Sequence, residues 1–219
     1  MKVLGVSGSP IPNSNTDRAV KAILDATGLE TEFIKLSDYK FCGCMHCLKC
    51  VYTNKCAIDD DGPMLIEKAR EASAIVIGGW TPFSSLDSRT KAFIERCFAN
   101  RHLKNYMKGK PAVSVVTHAA PEENPELPPA ASMGQNAIMY YMMEEGMNYL
   151  GGVKVSGNVP CIRCGVGDTC EISGLKMLLG PTATVAKAGV KKIEDQPAMA
   201  EACKLGKLIA ETLAKEENN

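Results

Sequence analysis

Lys2-Val3-Leu4-Gly5-Val6-Ser7-Gly8-Ser9-Pro10-Ile11-Pro12-Asn13-Ser14-Asn15-Thr16 opens the chain. Its first residues form a short apolar run suited to a buried strand. Small and turn-forming residues follow. An Asn or Ser then stands at the position of a helix N-cap. The stretch therefore reads as strand, tight loop and helix. Its loop offers hydroxyls, a side-chain amide and the free backbone N–H groups of a helix start, which together can hold a dianionic phosphate. It lacks the Gly-Lys-Ser/Thr of a Walker A loop and the Gly-x-Gly-x-x-Gly spacing of a dinucleotide fold. The plainer alternative is an ordinary capped turn.

The same alternation continues downstream. Apolar runs at residues 2–6, 32–36, 74–79, 112–117 and 153–159 predict strands. Helical patterns at 15–27, 63–71, 90–100 and 132–150 lie between them, and 198–215 closes the chain. Strands alternating with helices predict an α/β fold with a doubly wound, five-stranded parallel sheet and right-handed crossovers. Ligands of such sheets bind at the carboxyl ends of the strands. The whole length, 1–219, reads as one domain. Within it, 36–62 forms an insertion after the second strand, and 160–195 forms a second cysteine-containing loop. Residues 119–131 hold four prolines and read as a long surface loop. The Glu-Glu-Asn-Asn tail suggests a frayed end.

The chain has 219 residues, of which 45% are hydrophobic and 23% charged, enough to bury a core. Formal net charge is +0, which gives no reason to expect nucleic acid or an anionic membrane as a partner. No apolar stretch is long enough to span a bilayer. Met1-Lys2 leads straight into the first apolar run, so the expected location is cytoplasmic. Ten cysteines in such a chain read as metal ligands or redox groups, not as a disulfide framework.

Five of those cysteines lie within 36–62. Cys44, Cys47, Cys50 and Cys56 form a C-x2-C-x2-C-x5-C run. Three evenly spaced thiolates can wrap one side of a cubane, and a fourth from a short excursion closes it. Zinc is the second candidate, although structural zinc sites more often use two separated C-x2-C pairs. Four free thiols packed this closely would invite oxidation. Cys42 falls outside the spacing, as a spare thiol or alternative ligand. His46 reads as a solvent-facing spacer.

These motifs resemble known families. Val6-Ser7-Gly8-Ser9-Pro10, followed by Ser14-Asn15-Thr16, is similar to the FMN phosphate loop of flavodoxin-like NAD(P)H:flavin reductases. The resemblance points to Ser7, Ser9, Ser14, Asn15 and Thr16 as FMN-binding residues. Ile11 stands where many relatives carry a basic residue. The cysteine spacing, in its place between the second strand and second helix, resembles the iron–sulfur flavoproteins of anaerobic microbes. It implies one [4Fe-4S] cluster on Cys44, Cys47, Cys50 and Cys56. Ile58-Asp59-Asp60-Asp61 matches the close of that insertion. Gly78-Gly79-Trp80-Thr81-Pro82-Phe83-Ser84-Ser85 and Lys91-Ala92-Phe93-Ile94-Glu95-Arg96 are similar to the loop and helix that hold the isoalloxazine ring. They imply contacts from Thr81, Pro82, Phe83 and Ser84. Trp80 or Phe83 could stack on that ring, or both could be core or interface residues. The resemblance covers residues 1–100 well and the remainder loosely. It also implies a homodimer or homotetramer in which a cluster faces a neighbour's flavin.

Cys161, Cys164 and Cys170 form a C-x2-C-x5-C group outside the family pattern, read as a second metal site, a redox pair or isolated thiols. Cys97 and Cys203 fall on predicted helices and read as packing residues. His102 and His118 have no partner motif. The leading expectation is an electron-transfer oxidoreductase. It would take electrons from a ferredoxin-like donor and pass them through FMN to a small-molecule acceptor. The alternatives are an NAD(P)H-dependent FMN or quinone reductase whose cysteine loop is structural, and a non-catalytic metal or redox sensor.

Overall fold

The computed structural model describes residues 1–217. Asn218 and Asn219, half of the tail that the sequence marks for fraying, lie outside them. The strands are β1 (Lys2–Ser7), β2 (Glu30–Lys35), β3 (Ala74–Trp80), β4 (Pro111–His118) and β5 (Asn148–Ser156). They form one parallel sheet in the order β2-β1-β3-β4-β5. The helices are α1 (Asn15–Thr27), α2 (Gly62–Glu71), α3 (Ser88–Arg96), α4 (Ala130–Glu144), α5 (Gly174–Leu179), α6 (Val185–Ala188) and α7 (Pro197–Glu217). This strand order places the topological switch point, and with it a crevice, between the carboxyl ends of β1 and β3.

Successive residues of a strand face opposite sides, and each side of this sheet is covered. Val3, Val76 and Val113 pack with Val20, Ile23 and Ile209 from α1 and α7. Leu4, Ile75 and Ile77 pack with Leu65, Phe93 and Ile138 from α2, α3 and α4. At Gly206 a side chain would run into the carbonyl oxygen of Ile23, so glycine is what lets α7 approach α1.

Several boundaries differ from expectation. The helix predicted over 132–150 stops at Glu144, and β5 begins at Asn148, earlier than the predicted 153. Gly146 takes a left-handed φ of 66°, and the N–H of Met147 folds back onto Met142 O at 2.9 Å. The apolar residues beyond this turn continue helical spacing, so periodicity alone runs through it. The helix predicted over 90–100 is α-helical only to Arg96 and continues as a 3-10 turn, Cys97–Arg101.

The insertion is stitched shut at its neck. Lys40 N–H donates to Asp61 Oδ2 at 2.6 Å, and Asp61 N–H donates to Lys40 O at 3.0 Å. Beyond the neck, Asn54 is buried and donates to Ala99 O at 3.0 Å, which pins the loop to the turn after α3.

Candidate functional site

Ser14 caps α1, and Asp17 completes a capping box. Ser14 Oγ accepts from Asp17 N at 3.1 Å, and Asp17 Oδ2 accepts from Ser14 N at 3.2 Å. The first N–H groups of the helix, at Asn15 and Thr16, have no intrahelical acceptor and face the loop. The structure sorts the expected phosphate-loop residues. Ser7 donates its hydroxyl to Asp17 Oδ1 at 2.6 Å, so its proton is already committed. Asn15 ties its amide to Lys191 O at 3.0 Å and to Ser156 O at 3.4 Å. Thr16 bonds Thr117 across the crevice at 2.8 Å. The hydroxyls of Ser9 and Ser14 accept from backbone N–H groups and keep their protons for a ligand.

Sequence reasoning missed Lys35. It lies on the neighbouring strand β2 and reaches Asp17 Oδ2 at 2.6 Å and Ile11 O at 3.0 Å. The loop that lacks a basic residue at position 11 thus receives one from the side. Only the strand order brings the two together, and no local pattern announces it.

The loop after β3 is pinched by Asp87. Its carboxylate accepts from Trp80 N at 3.1 Å, from Thr90 N at 2.9 Å and from the Thr90 hydroxyl at 2.7 Å. Burial pushes its pKa up, against the pull of these donors. A side chain at Gly8 would collide with Thr90 and Asp87, so the first loop can lie on the second only through glycine. Thr81 N–H donates to Thr117 O at 3.1 Å. Thr117, near the carboxyl end of β4, therefore ties the start of α1 to the loop after β3. Between Thr81 and Ser85, Phe83 and Ser84 both adopt left-handed φ, at 49° and 60°. A bulky residue seldom sits there, and Phe83 is fully exposed. Trp80 Nε1 is buried with no partner among the described residues.

The four cysteines of the first run line one cavity, together with Met45, Leu48, Arg96 and Phe98. Left-handed φ at His46 and Leu48 turns the loop between them. Cys50 is 8% exposed. Burial, and then the neighbouring Cys56, Cys44 and Cys47, push its thiol pKa up. His46 is exposed, as expected of a spacer. Cys42 stands apart, in an adjacent groove with Phe41, Ser88 and Ala92. Its backbone N–H donates to Asp60 Oδ2 at 3.1 Å and its thiol does so at 3.7 Å. Among the described residues no three His, Cys, Asp or Glu side chains converge tightly enough to grip a single ion. A cubane asks something different: one thiolate at each of its four irons, spread around a shared space. Four thiols free of disulfides around one cavity, with a guanidinium in its wall, fit that donor set.

Cys97 is fully buried in the core, and burial pushes its thiol up to about 12. Cys203 is half-buried on α7. In the second group, Cys161 Sγ accepts from Gly174 N at 3.2 Å, and the Cys164 thiol donates to Cys161 O at 3.4 Å. Burial raises the Cys161 pKa, but hydrogen bonds from Gly174, Leu175 and Ser173 outweigh it and leave it lowered. No helix among the described residues is long and apolar enough to cross a membrane.

Residues 1–124 match the NADPH-dependent FMN reductase family. An iron–sulfur flavoprotein of Methanocaldococcus jannaschii is 35% identical over 128 residues, which are 56% of this chain and 66% of that protein. One from Methanosarcina thermophila is 29% identical over 113 residues, 50% of this chain and 59% of that protein. The matched stretches thus span less than two thirds of these relatives' lengths. Among solved structures, an archaeal flavodoxin superposes with a TM-score of 0.55 at 16% identity, covering 98% of this chain and 99% of that one. The azoreductase AzrA gives 0.59 at 13% identity, covering 95% of this chain and 100% of that one. At these identities the structures speak for the flavodoxin-like fold alone.

Proposed function

Because the chain belongs to the NADPH-dependent FMN reductase family, we propose that it is a flavin-dependent oxidoreductase that carries FMN in the β1/β3 crevice and a [4Fe-4S] cluster on Cys44, Cys47, Cys50 and Cys56. Electrons come from a ferredoxin-like donor and leave to a small-molecule acceptor. The observation that carries this reading is the cysteine cavity. Four free thiols share it, on a fold whose crevice loops are already joined and stocked with donors. Two relatives named iron–sulfur flavoproteins support it.

When bound, the flavin and the cluster supply the redox chemistry, and the protein supplies position and electrostatics. The Ser9 and Ser14 hydroxyls and the N–H groups of Asn15 and Thr16 would hold the phosphate, with Lys35 as the nearby cation. Ser7, through Asp17, fixes the loop from below. Thr81, Pro82, Phe83 and Ser84 would meet the ring, and Asp87 holds their loop in place.

The cavity wall includes Arg96 at the far end of α3, whereas Asp87 caps its near end beside the crevice. A helix rises about 1.5 Å per residue, so roughly 12 Å of α3 lies between the two. A homodimer or homotetramer in which the cavity of one chain approaches the crevice of another would shorten that path. Exposed Met45 and Leu48 in the cavity wall, and exposed Tyr52 on the same insertion, offer apolar surface for such contact.

Anaerobic purification followed by flavin, iron and sulfide assays tests the reading. FMN with matching iron and sulfide is expected. Protein isolated with flavin but no iron, and rapidly reduced by NADPH, would promote the reductase reading that the family description favours.

A further inference from the structure

Two motifs that the sequence keeps 36 residues apart meet under the cysteine cavity. Arg96 ends α3, and Asp60 closes the insertion. Their side chains form a bidentate pair at 2.7 and 2.8 Å, with Arg96 only 1% exposed. Arg96 Nη1 also donates to Cys42 O at 3.1 Å. A structural stitch accounts for these bonds, but not for everything about Arg96. Its Nε is buried with no partner among the described residues, although it belongs to a side chain that lines the cavity with the four thiols. Arg96 and Cys56 line the same cavity, and Nη1 also lies 3.8 Å from Cys42 Sγ. A guanidinium does not shed its proton, so its charge is permanent.

Resting on the cluster reading above, we propose that Arg96 is the electrostatic positioning residue of the cysteine cavity: oriented by Asp60, its free Nε–H would donate to sulfur of a cluster bound there and set the cluster's reduction potential. Hydrogen bonds to sulfur and local charge are levers on iron–sulfur potentials. Each electron added to the cluster adds negative charge. A fixed cation beside it favours the reduced form and raises the potential, whereas the carboxylate behind that cation works the other way. The two members of one ion pair therefore have opposite effects, which a merely structural stitch would not produce.

The test compares anaerobically purified holoprotein with Arg96→Gln, Arg96→Lys and Asp60→Asn. It reads iron and sulfide per chain and the cluster midpoint in a mediated, EPR-monitored titration. Arg96→Gln should lower the midpoint, Arg96→Lys should lower it less, and Asp60→Asn should raise it. Midpoints that match wild type in the loaded variants, or that move the same way in Arg96→Gln and Asp60→Asn, overturn the proposal. Should Arg96→Gln fail to hold iron, Asp60→Asn decides alone, because it keeps the arginine and its packing. No upward shift there is an overturning result. Wild type without iron and sulfide would sink the cluster reading and this inference together; a loaded cluster indifferent to both residues sinks only the inference.

Discussion

Lys35 gives the phosphate loop the charge that Ile11 withholds, and its removal has a calculable cost. Asp17 is 2% exposed, and Lys35→Met would leave its carboxylate without a cation. Uncompensated buried charges of this kind cost about 3 kcal/mol, so the urea midpoint should fall clearly, and FMN affinity with it. Ser9→Ala touches no such network. It removes one bond to a charged group, about 1.5–3 kcal/mol, and should weaken FMN roughly ten- to a hundred-fold in a fluorescence titration. Riboflavin, which lacks the phosphate, should bind poorly to the unaltered protein. At the cysteines, Cys47→Ala should abolish iron and sulfide, whereas Cys97→Ala should keep both and lose only core packing. Residue types and spacing exposed the cysteine run because its members are close in sequence. They could not expose Lys35 or the Asp60–Arg96 pair, whose partners meet only once the chain has folded.

The elements followed the sequence where burial is simple. Residues 74–79 form an unbroken apolar run because β3 is covered on both faces, and such a run has few other readings. The start of β5 was hidden because Met147, Tyr149 and Leu150 extend the spacing of α4 past a turn made by one left-handed glycine. At the end of α2, Lys110 donates its ammonium to Ala69 O at 3.1 Å and also to Arg70 O, where the last carbonyls of the helix attract a cation. Burial, aided by Arg70, pulls its pKa down to about 8 from 10.5. Between these values the unfolded chain holds a proton that the folded one has lost, so stability rises as pH climbs from 8 to 10.5. In Lys110→Met that rise should vanish from a series of thermal melts. An unchanged slope would mean that the ammonium titrates like an exposed one.

At the scale of the whole molecule the question is how charge travels. Reduced ferredoxin should reduce FMN in stopped-flow traces only while the cluster is intact. Protein stripped of the cluster but holding FMN should lose that reaction and still respond to dithionite. If the route crosses between chains, dilution below the oligomer's dissociation range should slow the ferredoxin reaction without changing flavin content; a dilution-independent rate would place both groups on one chain's path. The stitched neck at Lys40 and Asp61 gives the insertion the look of a cassette that could be cut out at its base. Arg96 ties that cassette to the helix beneath it. A descendant that lost residues 41–60 would keep the guanidinium but lose the Asp60 carboxylate and the residues that cover it, so a cation now buried would meet water without its partner. Loss of the cassette therefore changes what position 96 is asked to do.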